Sequence, residues 1–319
     1  MRPELDRREL LIGAGALLAT PAIGAAPRGK EVLLLCYFTG TDEGREGLRL
    51  ATSDDGYSFK RLRSGAGFLT PMVGENRLMR DPSITQGPDG VYHMVWTTDW
   101  FGDVIGHASS RDLLNWSPQQ AIPVMRAFPG TRNTWAPECV YDPVARHFVI
   151  FWSSSVAGQF GATNEQRFEG LEHRPYCTTT RDFRNFTPTR LWFDPGFNSI
   201  DFTLLRLEDG TLRVIFKDET HGAKLERNLR TATAASPLGP FGPATPAFTE
   251  SMTEGPTAIR LGDRYIVYYD IYEQQRFGAR TTRDFVTWED VSSRVQFPPD
   301  ARHGTVLRVP AALAAKLSR

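Results

Sequence analysis

A short motif that recurs along this 319-residue chain constrains its fold more than any other feature. Four copies combine a Ser or Thr, an Asp two residues later and a closing aromatic residue; they span residues 53–59, 110–116, 180–186 and 282–288. A weaker copy occupies residues 235–241. The closing aromatic residues are separated by 57, 70, 55 and 47 residues, so the chain contains five units of similar length.

Each copy predicts a strand that ends in a turn, followed by an aromatic residue that begins the next, outermost strand. The chain outside these motifs has strand-like runs and no convincing amphipathic helix of more than about ten residues. Five all-β units predict a five-bladed β-propeller, with a two-sheet sandwich as the alternative. Because no low-complexity linker interrupts the pattern, one domain is expected to cover residues 30–319.

The first 26 residues have the pattern of an export signal. Arg7 and Arg8 precede an apolar run, residues 10–19, and a stretch of small residues follows. This order predicts a secretory signal, and the arginine pair resembles the twin-arginine type; an uncleaved N-terminal anchor is the alternative. The mature protein is then expected to be periplasmic or secreted from a bacterium, without a membrane contact after signal removal.

Charge and cysteine content exclude several classes of protein. Lys and Arg total 37, as do Asp and Glu, and this balance argues against a nucleic-acid partner, which would favour a basic excess. Cys36, Cys139 and Cys177 are odd in number and have no CxxC spacing. They predict neither a disulfide framework nor a zinc site, and their apolar surroundings favour buried free thiols.

In a propeller the innermost strands converge on one channel, so polar residues at the start of those strands should meet. Four carboxylates are expected there, just ahead of an apolar strand: Asp81, Glu138, Asp201 and Glu254. Any one of them alone would be interpreted as a turn cap. Burying all four is costly in free energy unless they have charged or hydrogen-bonding partners or take part in catalysis. Neighbouring carboxylates also drive one another's pKa values apart. Glycoside hydrolysis requires such a pair, one protonated and one ionised.

The motifs around these carboxylates carry a family resemblance. Arg80-Asp81-Pro82-Ser83, Trp135-Ala136-Pro137-Glu138, Ser199-Ile200-Asp201 and Thr253-Glu254-Gly255-Pro256 occur in the order seen in glycoside hydrolase family 43. The resemblance implies a five-bladed propeller that cleaves arabinose-, xylose- or galactose-containing polysaccharides with inversion. It also implies that Asp81 is the general base, Glu254 the general acid, and Asp201 the carboxylate that orients the acid and tunes its pKa. Glu138 and Phe202 depart from the residues that are common in the family.

Further residues are candidates for contacts with the sugar. The predicted substrate-binding residues are Trp100, Trp135, Glu138, Phe202, Lys217 and Arg280, of which the aromatic ones could equally be core and the charged ones surface. The resemblance implies that His303, or waters around it, holds a structural calcium, although a lone His is more often a hydrogen-bonded structural residue. No cofactor is expected to be required for the chemistry.

These observations predict an exported, inverting glycoside hydrolase that acts on an oligo- or polysaccharide. An exo-acting α-L-arabinofuranosidase is the first expectation, with β-xylosidase and endo-arabinanase as alternatives. A carbohydrate-binding propeller without catalysis is the alternative from another class, and a lyase or transferase on the same scaffold is a third. Residues 157–173 are a candidate loop over the mouth of the funnel.

Overall fold

A computed structural model describes residues 29–160, 170–221 and 226–319. The predicted export signal, residues 1–26, lies outside the described residues, as does most of the predicted loop at the funnel mouth. Within the described ranges, no helix is long and apolar enough to cross a membrane.

Five antiparallel sheets follow one another around the ring and form five blades. Blade 1 contains β1 (Glu31–Thr39), β2 (Arg49–Ser53), β3 (Lys60–Arg61) and, as its innermost strand, the C-terminal β19 (Ala301–Pro310). Blade 2 contains β4 (Arg80–Gln86), β5 (Tyr92–Thr97), β6 (Ile105–Ser110) and β7 (Gln120–Ile122). Blade 3 contains β8 (Trp135–Asp142), β9 (His147–Ser155), β10 (His173–Thr180) and β11 (Arg190–Leu191).

The remaining two blades complete the ring. Blade 4 contains β12 (Ser199–Arg206), β13 (Leu212–Asp218) and β14 (Asn228–Ala234). Blade 5 contains β15 (Glu254–Leu261), β16 (Arg264–Ile271), β17 (Arg276–Thr282) and β18 (Glu289–Asp290). A short helix, α1 (Ala311–Leu317), follows the last strand. The predicted five-bladed propeller is therefore confirmed, and the blade with three strands is the one that carries the weaker motif.

The recurring motif folds as a turn capped by its own side chains. In blade 2 the hydroxyl of Ser110 accepts the backbone N–H of Leu113, and Asp112 accepts those of Leu114 and Asn115 at 3.0 and 2.8 Å. The same pattern recurs after β10 and β17. The closing aromatic residue differs from expectation, because Trp116 forms an isolated bridge with Ser110 and the outermost strand begins only at Gln120.

Five apolar clusters, one between each pair of neighbouring blades, form the core. Alternation along β1 divides its side chains between two of them, because successive residues of a strand face opposite sides of the sheet. Leu33 and Leu35 pack against blade 5, whereas Leu34 and Cys36 pack against blade 2. The three cysteines are free and buried, as predicted.

The pairing of the last strand with the first closes the ring. β19 runs antiparallel to β1 from the Glu31–Pro310 pair to the Thr39–Ala301 pair. Gly304 lies opposite Tyr37 in this ladder, where a Cβ atom would stand 1.9 Å from the carbonyl oxygen of Cys36. The closure therefore depends on a close backbone approach that only glycine permits.

We predict that Gly304→Ala destabilises the protein by about 3 kcal/mol, because the clash is with backbone and no side-chain rotation relieves it. Gly90→Ala is the matched control, since Gly90 has open space around its Cα and a φ of 78°, and should cost only about 1 kcal/mol. Urea unfolding of both variants measures the difference. Equal losses would contradict the proposed close approach.

Candidate functional site

A β-bulge near the start of each inner strand of blades 2 to 5 shapes the upper end of the channel. The first bulged residue has a left-handed backbone in all four strands: Asp81 (φ 51°), Ala136 (φ 47°), Asp201 (φ 55°) and Gly255 (φ 57°). Bulges redirect side chains and end regular pairing, and they are frequent beside functional sites. A non-glycine residue with this backbone is strained, which places local strain at the top of the channel.

The bulges correct the expectation that the four carboxylates are equivalent and precede their strands. All four lie within strands. Asp81 and Asp201 occupy the same bulge position, whereas Glu254 stands one residue before it and Glu138 two residues after it. Sequence spacing alone does not reveal this offset, because a bulge adds one residue without lengthening the ladder.

A cavity of about 210 Å³ opens above the bulges. Its lining comprises Arg80, Asp81, Thr97, Trp100, Trp135, Ile200, Asp201, Lys217, Glu219, Arg227, Glu254, Tyr272 and His303. Seven residues singled out from the sequence are thus brought together, although their roles stay predictions. They come from blades 1 to 5, so only closure of the ring assembles them.

Asp81 is held in its ionised form by two neighbours. Its Oδ1 lies 3.2 Å from Nδ1 of His303, and its Oδ2 accepts the hydroxyl of Thr97 at 2.8 Å. Burial alone would raise the pKa of Asp81, but the hydrogen bond and positive charge of His303 hold it below its usual value. Conversely, burial opposes protonation of His303, yet Asp81 and the other carboxylates raise its pKa to about 9. At neutral pH the two form a carboxylate–imidazolium pair.

Thr97, which sequence reasoning did not single out, links two blades at this point. Its Oγ1 donates to Asp81 and accepts the backbone N–H of Ala136 at 2.8 Å. Because Ala136 is the left-handed residue of blade 3, the same hydroxyl fixes both the bulge and the carboxylate. A Thr at the end of an ordinary strand carries no sequence signal for this role.

Glu254 stands in a different electrostatic environment. Its Oε2 accepts a hydrogen bond from Nζ of Lys217 at 2.9 Å, and Lys217 also lies 2.6 Å from Glu219. Burial raises the pKa of Glu254, but the Lys217 ammonium outweighs it and lowers that pKa below its usual value. Burial lowers the pKa of Lys217, but the charges of Glu254, Glu219 and Asp201 outweigh this effect and raise it.

Among Asp81, Asp201 and Glu254, Asp201 keeps a proton most readily. Burial raises its pKa to about 6, with His303 lowering it and the negative charge of Glu254 raising it further. Its Oδ2 accepts the backbone N–H of Gly255 at 3.0 Å, which ties the bulge of blade 4 to that of blade 5. The three neighbouring carboxyls are therefore not equivalent, because the pKa of Asp201 is raised while those of Asp81 and Glu254 are lowered.

Three predicted substrate contacts lie outside the cavity. Phe202 is 2% exposed and stacks on Phe216 in the cluster between blades 3 and 4, because it follows the bulged Asp201 and faces the other side of the sheet. Arg280 lies on β17, third from the axis, and pairs with Glu250 at 3.0 Å. Glu138 is buried farther along the channel and does not line the cavity.

Glu138 nonetheless has an unusual environment. Burial raises its pKa to about 8, although hydrogen bonds from the Thr203 side chain and the Leu204 backbone lower it. A neutral, protonated carboxyl at pH 7 follows, and such a group can be buried at far lower cost than a carboxylate.

The residues around His303 do not fit a directly bound metal ion. Metal binding through histidine needs a neutral imidazole, whereas His303 carries a proton and directs Nδ1 at Asp81. In the described part of the chain no three His, Cys, Asp or Glu side chains converge closely enough to hold an ion. A calcium held through waters stays a prediction.

A further ion pair, which the sequence does not predict, lies behind Glu254. Asp270 lies opposite Glu254 in the β15–β16 ladder, and its Oδ2 is 3.1 Å from Nε of Arg302. Burial raises the pKa of Asp270 to about 7, while Arg302 lowers it. The only sequence signal for this ion pair is that Arg302 directly precedes His303. The position of Asp270 depends on strand pairing, and the contributions of Tyr272 and Arg227 likewise emerge only from the fold.

We predict that His303→Gln raises the pKa of Asp81 by about 1 unit or more, because it removes the neighbouring positive charge. A titration of the Asp81 carboxyl carbon by NMR measures the shift. His147→Gln, at the half-buried start of β9, is the control and should leave Asp81 unchanged. An unaltered Asp81 titration in His303→Gln would contradict the ion pair.

Comparisons with known proteins agree with this architecture. Residues 31–314 match the family 43-related model described as "Probable glycosyl hydrolase domain". An alpha-L-arabinofuranosidase of Bifidobacterium longum subsp. longum is 25% identical over 208 residues, which cover 58% of this chain and only 19% of that protein.

Solved structures show a similar fold. An alpha-L-arabinofuranosidase from Lactobacillus brevis superposes with a TM-score of 0.55 at 19% identity, covering 67% of this chain and 72% of that one. A GH43_1 enzyme from Xanthomonas citri complexed with xylose gives a TM-score of 0.52 at 14% identity, covering 70% and 75%. The family match covers most of the described propeller, and the chain belongs to the glycosyl hydrolase family related to glycoside hydrolase family 43.

Proposed function

We propose that this protein is an inverting glycoside hydrolase in which Asp81 is the general base and Glu254 the general acid. The observation that carries the proposal is that Asp81, Asp201 and Glu254, from three blades, line one cavity, where the pKa of Asp201 is raised and those of Asp81 and Glu254 are lowered by different cations. Asp201 acts as a positioning residue: its bond to Gly255 fixes that bulge, and in its ionised form it raises the pKa of Glu254 through the mutual repulsion of the two carboxylates.

The reaction is a single displacement. Asp81 accepts a proton from a water whose oxygen bonds to the anomeric carbon, while the glycosidic carbon–oxygen bond breaks and Glu254 gives its proton to the departing oxygen. His303 supports the role of Asp81 as base, because its positive charge keeps this carboxyl ionised and therefore able to accept a proton. Each carboxyl ends with the opposite protonation state and exchanges protons with solvent to complete the cycle.

Proton donation to the departing oxygen requires a protonated Glu254. In the free protein, the charge of Lys217 opposes this protonation. Lys217 has an alternative partner in Glu219, at 2.6 Å, so it can remain paired after releasing Glu254. We infer that a bound sugar displaces the ammonium from Glu254 and raises the pKa of this carboxyl. Acid catalysis is then available mainly in the substrate complex.

Among substrates, we propose a terminal α-L-arabinofuranosyl group released by exo action. The small volume of the cavity, about 210 Å³, favours a single sugar ring. Trp100 and Trp135 stand edge to face with ring centres 6.1 Å apart and offer two perpendicular apolar walls. The arabinofuranosidase name of two relatives supports this choice, and the xylose complex of a third supports β-xylosidase as the alternative.

The cellular setting belongs to the same proposal. An exported, periplasmic or secreted enzyme would meet polysaccharide outside the cytoplasm, in agreement with the predicted signal in residues 1–26. None of the proposed proton transfers uses a cofactor. A structural calcium near His303 would reach that residue only through water.

Hydrolysis of p-nitrophenyl glycosides, arabinan, xylan and galactan tests the proposal. Asp81→Asn and Glu254→Gln should each lower the rate by about 10²–10⁴-fold, because each removes one proton transfer. Glu250→Gln, which changes a glutamate paired with Arg280 outside the cavity, is the matched control and should retain activity. NMR of the first product should detect the inverted anomer. Sugar binding without hydrolysis of any substrate would favour the non-catalytic propeller instead.

The pH dependence of hydrolysis should depend on Lys217. Lys217→Met removes the charge that lowers the pKa of Glu254, so this pKa should rise by about 1–3 units. Because the general acid must be protonated, the alkaline limb of the kcat/KM profile should move to higher pH. Lys316→Met, which alters an exposed pair with Asp112, should leave the profile unchanged. A fixed alkaline limb in Lys217→Met would contradict the assignment of Glu254 as acid.

A further inference from the structure

A second, larger space adjoins the cavity. It measures about 570 Å³ and shares three walls with the cavity, namely Arg80, Trp100 and Tyr272. Its other lining residues include Phe38, Glu43, Asp300 and Arg302, so it extends from the cavity towards blade 1. A chain of sugars with one end in the cavity could continue into this groove.

Arg80 is held rigidly between the two spaces. Its guanidinium carbon lies 4.6 Å from the centre of the Phe38 ring and 4.3 Å from that of Trp100. Gly44, with a φ of 91°, permits this packing, because a Cβ there would stand 3.1 Å from Cγ of Arg80 and 2.9 Å from the carbonyl oxygen of Met79. Contact with aromatic faces leaves the edge of the guanidinium fork free to donate hydrogen bonds.

Arg80 differs from the other cations that line either space. Lys217 and Arg227 pair with Glu219, His303 with Asp81, and Arg302 with Asp270, all within 4 Å. Among the described residues, no carboxylate lies within salt-bridge distance of Arg80. The charge of Arg80 lowers the pKa of Asp81 from a distance, but the guanidinium has no direct salt-bridge partner among the described residues, and such a group in a partly enclosed space is a site for an anion.

The acidic residues of the groove do not offset this charge. Glu43 lies 3.0 Å from Arg45, and Asp300 pairs with Arg61. Asp81, next to Arg80 in sequence, is engaged by His303 and Thr97. Arg80 is therefore the cation of the groove without a direct carboxylate partner among the described residues, and it lies directly beside the proposed reacting sugar.

We propose that this groove binds an anionic sugar residue, adjacent to the sugar that is cleaved, through hydrogen bonds from Arg80 to two oxygens of its acidic group. The acidic group is a uronate carboxylate or a sulfate ester, since both present paired oxygens that match the guanidinium fork. This inference rests on the proposed function and narrows its substrate class to acidic polysaccharides.

Binding of monosaccharides, measured by NMR titration at low salt, tests the proposal without requiring turnover. The probes are D-galacturonate and D-galactose 6-sulfate, with neutral D-galactose as reference. We expect at least one anionic sugar to bind about tenfold more tightly than galactose, with the difference lost at high salt. Whichever anionic sugar binds identifies the acidic group.

Variants assign this preference to Arg80. Arg80→Met preserves an apolar stem between the two rings and should abolish the preference, while Arg80→Lys should retain only part of it. Arg294→Met is the matched control: Arg294 stacks on Tyr57 at 4.2 Å and lies outside both spaces, so the preference should persist.

Two results would overturn the proposal: equal affinity of the wild type for anionic and neutral sugars, or a preference that survives in Arg80→Met. Failure of the hydrolysis assay leaves this binding readout intact, so the two proposals can fail separately. Hydrolysis of neutral arabinan without any anionic preference would retain the enzyme and reject the acidic subsite.

Discussion

The pairing of β19 with β1 is the constraint on which the rest of the structure depends. It joins the end of the chain to its beginning and converts five sheets into a closed ring. Closure places Arg302 and His303 beside carboxylates from blades 2 and 5. Without it, Asp81 would lose its imidazolium partner, and the apolar cluster between blades 1 and 5 would be exposed to water.

Ion pairs and backbone strain together organise the upper end of the channel. The left-handed bulges turn Asp81 and Asp201 towards the cavity, and the ring of inner strands holds them there against their backbone preference. Burying such charges is costly unless each has a partner. Here His303 compensates Asp81 and Lys217 compensates Glu254, while Asp201 and Asp270 respond to burial with raised pKa values.

This arrangement links stability to the proposed chemistry. A carboxylate beside a fixed cation stays ionised and so is available as a base, whereas one whose cation can move to another carboxylate has a higher pKa after that move and can then carry the proton that an acid needs. Asp81 has the first environment and Glu254, through Lys217 and Glu219, the second. The difference between the two proposed roles lies in their partners, because both side chains are carboxyls that face the same cavity.

The repeat, and with it the number of blades, can be predicted from the amino-acid sequence. Ser110 and Asp112 cap a turn through contacts within five residues, so a local motif suffices to predict each unit. The sequence also predicts the acidic residues that gather at the channel, since their motifs are short and ordered along the chain. Most of the fold and about half of the cavity lining followed from such local signals.

Which side chains of each inner strand face the cavity follows from the folded ring and not from local sequence. The bulges interrupt the regular alternation: Phe202, which follows the bulged Asp201, packs in the core, and Glu138, two residues past the bulge of its strand, does not line the cavity. Thr97, Asp270 and Arg302 joined the site through strand pairing across the ring. Such long-range contacts and their effects on pKa have no local sequence signal, because they arise between residues far apart in the chain.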